Sequence, residues 1–115
     1  MRRGDIFWVD LQPRSGSEQQ GRRPAIIVSR DSFNQALNWK SIIVVPLSTS
    51  NNQLRRGPTA VALASGSGGL NEDSVVLCHQ VTTLDKSKFG QQIGTLPQDL
   101  MNQVDAGIKI ALNLS

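Results

Sequence analysis

Residues 22–48, RRPAIIVSRDSFNQALNWKSIIVVPLS, contain two short apolar runs, AIIV and IIVV, on either side of a polar segment. Short apolar runs bounded by turn residues are typical of buried β-strands. Similar runs recur through the first 95 residues and predict strands at 6–11, 24–29, 41–47, 59–63, 74–82 and 91–95. The sequence therefore predicts a mostly β core whose strands are joined by short connections.

Two helices are expected besides these strands. Asp31 is placed to cap a brief helix, because its carboxylate can accept the free amide groups of the first turn. After Pro97, apolar residues recur every three or four positions, at Leu100, Val104, Ile108 and Ala111. That spacing predicts one closing amphipathic helix, and Pro97 suits its first turn. Short antiparallel strands followed by a terminal helix favour a small, strongly curved sheet or half-open barrel that the helix closes.

The composition excludes several classes of protein. The length allows a single domain, 1–115, and no apolar run approaches the roughly 18 residues of a membrane-spanning helix. One cysteine and one histidine exclude an internal disulfide and cannot supply the three or four protein ligands of a zinc site. The phosphate-binding motifs GxxxxGK and GxGxxG are absent from the sequence. We therefore expect a protein of the cytoplasm that uses no metal or cofactor.

Charge is distributed unevenly along the chain. Residues 1–58 carry eight arginines and one lysine against four acids, whereas residues 59–115 carry three lysines against five acids. The planar guanidinium group binds phosphate with two parallel hydrogen bonds, so an arginine-rich half favours a polyanionic partner. The alternative from charge alone is a solvated surface that binds no partner.

One group of residues has the composition of a site for phosphodiester chemistry. The polar segment GSEQQGRRP, residues 16–24, places Glu18 and two arginines just before a predicted strand, and Ser48 and Thr49 follow another strand. If those strands are neighbours, a guanidinium, a carboxylate and two hydroxyls meet at one rim of the sheet. That set can bind a phosphodiester, neutralise charge that develops on it, and transfer a proton.

The remaining candidates are interpreted as structural. Cys78 and His79 are neighbours on a predicted strand, where side chains point to opposite faces, so they cannot act together as nucleophile and base. The Gly- and Ser-rich segment 64–69 is interpreted as a flexible hairpin tip. Trp8 and Trp39 are interpreted as core or dimer-interface residues rather than platforms for base stacking.

Five segments match the pattern of a known family: RRGDIFWVDLQP (2–13), GSEQQGRRPAIIVS (16–29), IIVVPLSTS (42–50), SVVLCHQVTTLDK (74–86) and the terminal helix. Through them, nearly the whole chain resembles the MazF/PemK family of toxin endoribonucleases. The resemblance implies an SH3-like half-open barrel with a C-terminal helix, and a homodimer. It also implies metal-independent, sequence-specific cleavage of single-stranded RNA, with mRNA as the expected substrate and tRNA or rRNA as alternatives. The implied inhibitor is a MazE-like antitoxin.

The resemblance also implies roles for individual residues. The catalytic arginine that precedes proline in the family falls on Arg23, the hydroxyl after the third strand on Ser48, and the glutamate of GSEQ on Glu18. RNA contacts are expected at Ser17, Gln19, Arg22, Thr49, Arg55, Arg56 and Gln80. Relatives commonly have an acid and an arginine where this chain has His79 and Thr82, so the resemblance does not fix the recognised RNA sequence.

The expected mechanism follows from the chemistry of RNA, which carries a 2′-hydroxyl next to each phosphate as an internal nucleophile. Attack gives a five-coordinate phosphorane with added negative charge, which fixed cationic donors stabilise. We expect Arg23 to stabilise that charge, with proton donation to the leaving 5′-oxygen as a second role, and Glu18 to accept the hydroxyl proton. Ser48 is expected to orient the reacting group, and Thr49 beside it is the alternative hydroxyl. The expected products are a 2′,3′-cyclic phosphate and a 5′-hydroxyl.

Two other functions remain open. A CcdB-like toxin would share the fold and would bind DNA gyrase without cleaving RNA. A plain RNA-binding module would bind RNA and leave it intact. The combination of Arg23 and Ser48 with the basic half of the chain favours the nuclease, because a gyrase-binding protein has no chemical need for that pair.

Overall fold

The structure is a computed structural model that describes residues 1–12, 15–16 and 18–115. Within those residues the strands are β1 Asp5–Asp10, β2 Arg22–Ile27, β3 Ser41–Ser48, β4 Ala60–Leu63, β5 Ser74–Leu77, β6 Thr82–Asp85 and β7 Phe89–Thr95. A short helix α1, Asp31–Asn34, follows β2, and a long helix α2, Gln98–Leu112, follows β7. Short 3-10 helices lie at Asn51–Thr59, Ser67–Gly69 and Lys86–Lys88. The chain is therefore mostly β, as predicted.

The strands form an antiparallel sheet in the order β4-β5-β3-β2-β1-β7, and β6 is also paired with β3. Along one edge β3 pairs with β2, and along the other edge it pairs first with β6 and then with β5. Val44, for example, is opposite both Ile27 and Thr82. The sheet therefore curves around β3, which is the geometry expected of a half-open barrel.

Side chains on the two faces of the sheet form separate cores. The first core joins five strands to α2 and includes Ile6, Ile26, Val45, Leu47, Leu63, Val76, Met101 and Val104. The second core, on the other face, consists of Val9, Leu11, Ala25, Ile27, Ile42, Val44 and Leu84. Because neighbouring residues on a strand point to opposite faces, the continuous apolar runs of β2 and β3 supply both cores. The predicted curved sheet closed by a C-terminal helix is confirmed.

The predicted strand 74–82 is instead two strands, β5 and β6, separated by a turn. The N–H of Gln80 donates to the carbonyl of Leu77 at 3.0 Å, and the N–H of Cys78 donates to the carbonyl of Thr59 at 3.0 Å. These two bonds turn the chain away from β4 and toward the first half of β3. The continuous apolar character of residues 75–78 concealed this break.

The predicted capping role of Asp31 is wrong. The residue before the helix is Arg30, and no side chain caps the first turn. Asp31 instead accepts the backbone N–H of Arg3 at 2.7 Å and the side-chain amide of Asn34 at 3.2 Å. The bond from Arg3 is the main reason that the pKa of Asp31 is lowered. This carboxylate ties the N-terminal segment to α1.

Neither tryptophan lies in the core, so that part of the interpretation is wrong, and the dimer-interface alternative stays a prediction. Trp39 is 43% exposed; its ring stacks on Phe33 with centroids 4.7 Å apart, and its indole N–H donates to the carbonyl of Ser41 at 2.6 Å. Trp8 is 36% exposed and lies on the outer side of β1. Both rings are held by contacts with nearby surface residues.

Helix α2 packs closely against the chain at the end of β5. The thiol of Cys78 lies 3.6 Å from the carbonyl oxygen of Val104, and a Cβ placed on Gly107 would be 2.7 Å from the same sulfur. Burial raises the pKa of the Cys78 thiol to about 12, so it stays protonated. With 15 residues, α2 is the longest helix in the described ranges, and none of the helices there is long and apolar enough to cross a membrane.

We expect Gly107→Ala to destabilise the fold by about 1–2 kcal/mol. Overpacking such a contact costs about 1–3 kcal/mol, and the better helix propensity of alanine offsets at most about 1 kcal/mol. In a Cys78→Ala background the same change should be neutral or stabilising, because the sulfur is gone. Urea unfolding of the four proteins measures this coupling. Equal destabilisation in both backgrounds would show that Cys78 does not limit the approach of the helix.

Candidate active site

A groove of about 270 Å³ lies where β2 begins and β3 ends. Its walls include two arginines and a hydroxyl, Arg22, Arg23 and Thr49, together with Trp8, Glu72 and Ile93. These residues come from three strands and two loops, so the groove exists only in the folded sheet. Its position is the rim at which the sequence placed the candidate site.

Arg23 lies on the groove wall near the start of β2, and its side chain is exposed. Its Nε donates to the carbonyl of Gln20 at 3.1 Å. Within the described part of the chain Arg23 forms no ion pair with a carboxylate, whereas Arg3 is paired with Asp105 at 2.6 Å. The Arg23 charge is therefore not neutralised by any described side chain, and the hydrogen bonds within the described residues use one of its five N–H donors.

Ser48 is the last residue of β3 and lies just past the point where β3 stops pairing with β2. The ladder between these strands ends with Ala25 opposite Pro46, and Ser48 is paired instead with Val75 of β5. Ser48 is 6% exposed, and its Oγ accepts the backbone N–H two residues further on at 3.1 Å. The hydroxyl keeps its own proton to donate. Next to it, Thr49 is exposed and lines the groove.

The segment that carries Glu18 is tied to the site by two hydrogen bonds. The backbone N–H of Gln19 donates to Oε1 of Gln80 at 3.0 Å, and the carbonyl of Gln20 accepts from Arg23. Glu18 itself is exposed. Gln80 thus reaches from the turn between β5 and β6 to the segment before β2, and it contacts protein at a position where the sequence predicted RNA.

Arg22 lies over the indole ring of Trp8, with its guanidinium carbon 5.6 Å from the ring centroid. The ring quadrupole attracts the cation and holds it without neutralising its charge. Both side chains line the groove. Trp8 is therefore an aromatic residue of the candidate site that sequence reasoning missed, although its place opposite Pro24 in β2 would have indicated it once the register was known.

Of the predicted RNA contacts that the structure describes, Arg22 and Thr49 line the groove, whereas Gln19, Gln80, Arg55 and Arg56 do not. Ser17 lies outside the described residues. Arg55 and Arg56 are exposed on the 3-10 helix Asn51–Thr59, and Nε of Arg56 donates to the side-chain oxygen of Gln53 at 2.6 Å. These two arginines add positive charge to a neighbouring loop, where they stay predicted contacts.

One groove wall comes from residues 69–74, which sequence reasoning did not assign to the site. Gly69 was predicted to lie in a hairpin tip, but it packs against β7. A Cβ on it would lie 2.6 Å from the carbonyl oxygen of Ile93, and its φ is +86°. The backbone can approach β7 so closely only at glycine, and this approach places Glu72 on the groove wall. The two adjacent glycines were the available sign of a packed turn.

Cys78 and His79 do not form a nucleophile and base pair. Cys78 is buried against α2, whereas His79 is exposed, with Nε2 3.4 Å from the side-chain nitrogen of Gln80. Partial burial, with a smaller contribution from the charge of Arg56, lowers the pKa of His79, so its ring is neutral at pH 7. Within the described ranges no group of three or more His, Cys, Asp or Glu side chains is arranged to hold a metal ion.

Comparison with known proteins identifies the family. The model of the PemK-like, MazF-like toxins of type II toxin–antitoxin systems matches residues 2–112. The chain belongs to this toxin family. Endoribonuclease MazF of Staphylococcus saprophyticus is 35% identical to it over 114 residues, which cover 99% of this chain and 92% of that protein.

Solved structures of MazF-type toxins share the fold. An endoribonuclease from a mycobacterial species, in complex with its cognate antitoxin, has a TM-score of 0.81 and 26% identity, covering 100% of this chain and 97% of that one. MazF from Deinococcus radiodurans has a TM-score of 0.81 and 25% identity, covering 99% and 97%. The match to the MazF family over nearly the whole chain favours the nuclease over the CcdB-like alternative.

In this MazF-family toxin, we expect Gln80→Ala to release the segment that carries Glu18. The N–H of Gln19 would lose its acceptor, a bond worth about 0.5–1.5 kcal/mol, so hydrogen exchange at that amide should quicken by about three- to tenfold. Gln80→Glu keeps an acceptor oxygen and should leave the exchange slow. NMR exchange at residue 19 measures both variants. Equal exchange in the wild type and Gln80→Ala would contradict this role.

Proposed function

We infer that this MazF-family toxin cleaves RNA as an endoribonuclease, and we propose that it acts on specific sequences in single strands without a metal ion. The observation that carries the proposal is the groove whose wall holds two exposed cations, Arg22 and Arg23, and the hydroxyl of Thr49, with Ser48 buried next to Thr49 at the end of β3. The activity named for the Staphylococcus saprophyticus relative supports it. Cations and hydroxyls suit a phosphodiester, because a guanidinium binds phosphate with two parallel hydrogen bonds.

Binding places the scissile phosphate against Arg23. The guanidinium is fixed by its bond to Gln20, and its remaining N–H groups are directed to the non-bridging oxygens. Arg22, held over Trp8, adds a second positive charge on the same wall. Because these charges are not neutralised by carboxylates of the described chain, the substrate phosphate replaces water rather than a protein partner.

Cleavage then proceeds by attack of the neighbouring 2′-oxygen on phosphorus. The 2′-hydroxyl proton passes to the Glu18 carboxylate as the new P–O bond forms, and the bond to the 5′-oxygen breaks. The leaving oxygen takes a proton from solvent water. Arg23 stabilises the charge of the phosphorane; it does not act as the base, because a guanidinium stays protonated in proteins. The products are a 2′,3′-cyclic phosphate and a 5′-hydroxyl.

Ser48, buried at the end of β3, orients the reacting group. Its Oγ already accepts a backbone N–H, so the one proton of the hydroxyl is left to donate to the phosphate or the 2′-oxygen. Thr49 lines the groove, where it contacts the RNA strand beside the reacting phosphate. We assign Ser48 to the chemical step and Thr49 to binding.

The substrate, the antitoxin and the second copy of the chain are proposed partners of this toxin. We propose that the toxin acts on mRNA in the cytoplasm, with tRNA or rRNA as alternatives, and that a MazE-like antitoxin with an acidic segment opposes it. The mycobacterial endoribonuclease solved with its cognate antitoxin supports this. A homodimer is proposed because Ile110, Leu112 and Leu114 at the end of α2 are 52%, 51% and 60% exposed and a second copy would cover them.

Arg23→Ala should lower kcat by at least about 100-fold, the cost of losing one donor to a transition-state oxyanion. The fold should persist, since Arg23 is exposed and its described hydrogen bond reaches only Gln20. Arg30→Ala is the control, because Arg30 is an exposed arginine over the ring of Phe33, away from the groove. The assay is incubation with a long unstructured RNA and mapping of the product ends.

The same assay tests the metal-free mechanism and the alternatives. EDTA should leave cleavage unchanged, and inhibition that added Mg²⁺ restores would reject a metal-free reaction. Full activity of Arg23→Ala would reject the role of that residue. Binding without cleavage by the wild type would indicate an RNA-binding module, and neither binding nor cleavage would return the CcdB-like alternative.

Replacing the hydroxyls one at a time separates their roles. Ser48→Ala should lower kcat at least about tenfold, because it removes a donor to the reacting group. Thr49→Val, which keeps the shape of the side chain, should mainly raise KM. Steady-state kinetics on an oligonucleotide that contains the mapped site measures both. A tenfold fall in kcat for Thr49→Val, with Ser48→Ala unaffected, would reverse the two assignments.

A further inference from the structure

A second cleft, of about 410 Å³, adjoins the groove. Trp8 and Arg22 line both spaces, so the cleft and the groove border each other at that pair. The rest of the cleft wall includes Asp10, Lys88 and Phe89 from the end of β1 and the start of β7. Neither Lys88 nor Phe89 has a part in the proposed cleavage.

We propose that this cleft binds one nucleotide of the RNA strand, adjacent to the cleaved step, with its base on Trp8 and its phosphate between Arg22 and Lys88. The proposal rests on the proposed function and extends the RNA path beyond the catalytic groove. The cleft volume falls within the range of about 300–1,000 Å³ typical of small-ligand sites, which is ample for a single nucleotide.

The charges of the cleft suit a phosphate. The ammonium group of Lys88 donates to the carbonyl of Gln12 at 3.0 Å, which holds it at the cleft wall. Asp10 is the acid of this wall, and its carboxylate accepts the backbone N–H of Gln12 at 3.0 Å. No ion pair joins Asp10 to Lys88 or Arg22 in the described residues. Two cations and one acid leave the wall with a net positive charge.

The aromatic part of the cleft suits a base. Trp8 is 36% exposed, and Arg22 lies over its ring, so a planar indole and a planar guanidinium are presented together. Bases stack on both kinds of surface whatever their sequence. Phe89 is fixed by an edge contact with Phe7, with ring centroids 5.7 Å apart. The wall that a base would contact is therefore built from held side chains.

An RNA strand fits this cleft better than an acidic peptide. A peptide carboxylate would satisfy the two cations but would leave the indole surface without a matching partner. A nucleotide supplies both an anion and a flat ring. Because Trp8 and Arg22 line both the cleft and the groove, one RNA strand can extend from one space into the other.

The test compares two lysines of the same 3-10 helix. Lys88 lines the cleft and donates to Gln12, whereas Lys86 donates to the carbonyl of Ala36 at 3.2 Å and does not line the cleft. Two RNAs carry a 2′-deoxy nucleotide at the mapped cleavage site, which blocks attack. One is the shortest bound oligonucleotide, and the other is extended by several nucleotides on both sides.

We expect Lys88→Ala to weaken binding of the extended RNA by about three- to tenfold and to leave the short one unchanged. The slope of log K against log salt should fall in magnitude by about 0.7, the value for one lost phosphate contact in a single strand. Lys88→Arg should restore affinity, and Lys86→Ala should match the wild type. Fluorescence anisotropy at several salt concentrations measures all four proteins.

Three results would overturn the proposal. If Lys88→Ala binds both RNAs like the wild type while the wild type still cleaves, the nucleotide site in the cleft is rejected and the proposed nuclease function stands. If Lys88→Ala weakens binding of an acidic antitoxin peptide but not of RNA, the cleft is a peptide site. If the wild type neither binds nor cleaves RNA, the proposed function falls, and this site falls with it.

Discussion

Strand β3 is the constraint on which both the core and the groove depend. Its apolar residues alternate between the two cores, and its edges pair with three other strands, so any shift in its register would expose one core. The pairing with β2 ends at Pro46, and the last residues of β3 continue beside β5 alone. The groove opens at this point, because β2 and β3 are no longer joined by hydrogen bonds there.

The chemistry of the groove follows from how its cations are held. Arg23 is oriented by a backbone carbonyl and Arg22 by an indole ring, and neither contact removes positive charge. By contrast, Arg3, on the side of α2, is paired with Asp105. A paired arginine stabilises a fold, whereas an unneutralised arginine keeps its full attraction for a phosphate. The distinction separates the structural cations of this chain from those of the candidate site.

Most of the fold and part of the site were predictable from the sequence. The strands and α2 were predicted because short apolar runs and helical spacing of apolar residues can be read directly from the sequence. Arg23 and Ser48 were proposed as site residues because each lies at the end of a predicted strand; the structure places Arg23 on the groove wall, and the roles of both stay predictions. The turn at Cys78 was missed because hydrogen bonds to distant residues break an apolar run there. The wall at Gly69 was missed because it depends on contact with Ile93, far along the chain.

Trp8 shows why local pattern alone misjudged one part of the site. A large aromatic residue in a strand is usually buried, but here the alternation of β1 places Ile6 and Val9 in the cores and leaves Trp8 on the outer side. Its neighbour across the ladder is Pro24, which has no N–H, and Arg22 and Arg23 precede that proline. The ring therefore lies beside the cation of Arg22, and Pro24 and Ile93 share the groove wall with it. An exposed indole leaves apolar ring surface in contact with water unless another group covers it. A nucleic-acid base that stacks on the Trp8 ring, while the phosphate of the same nucleotide contacts the arginines, satisfies both groups at once.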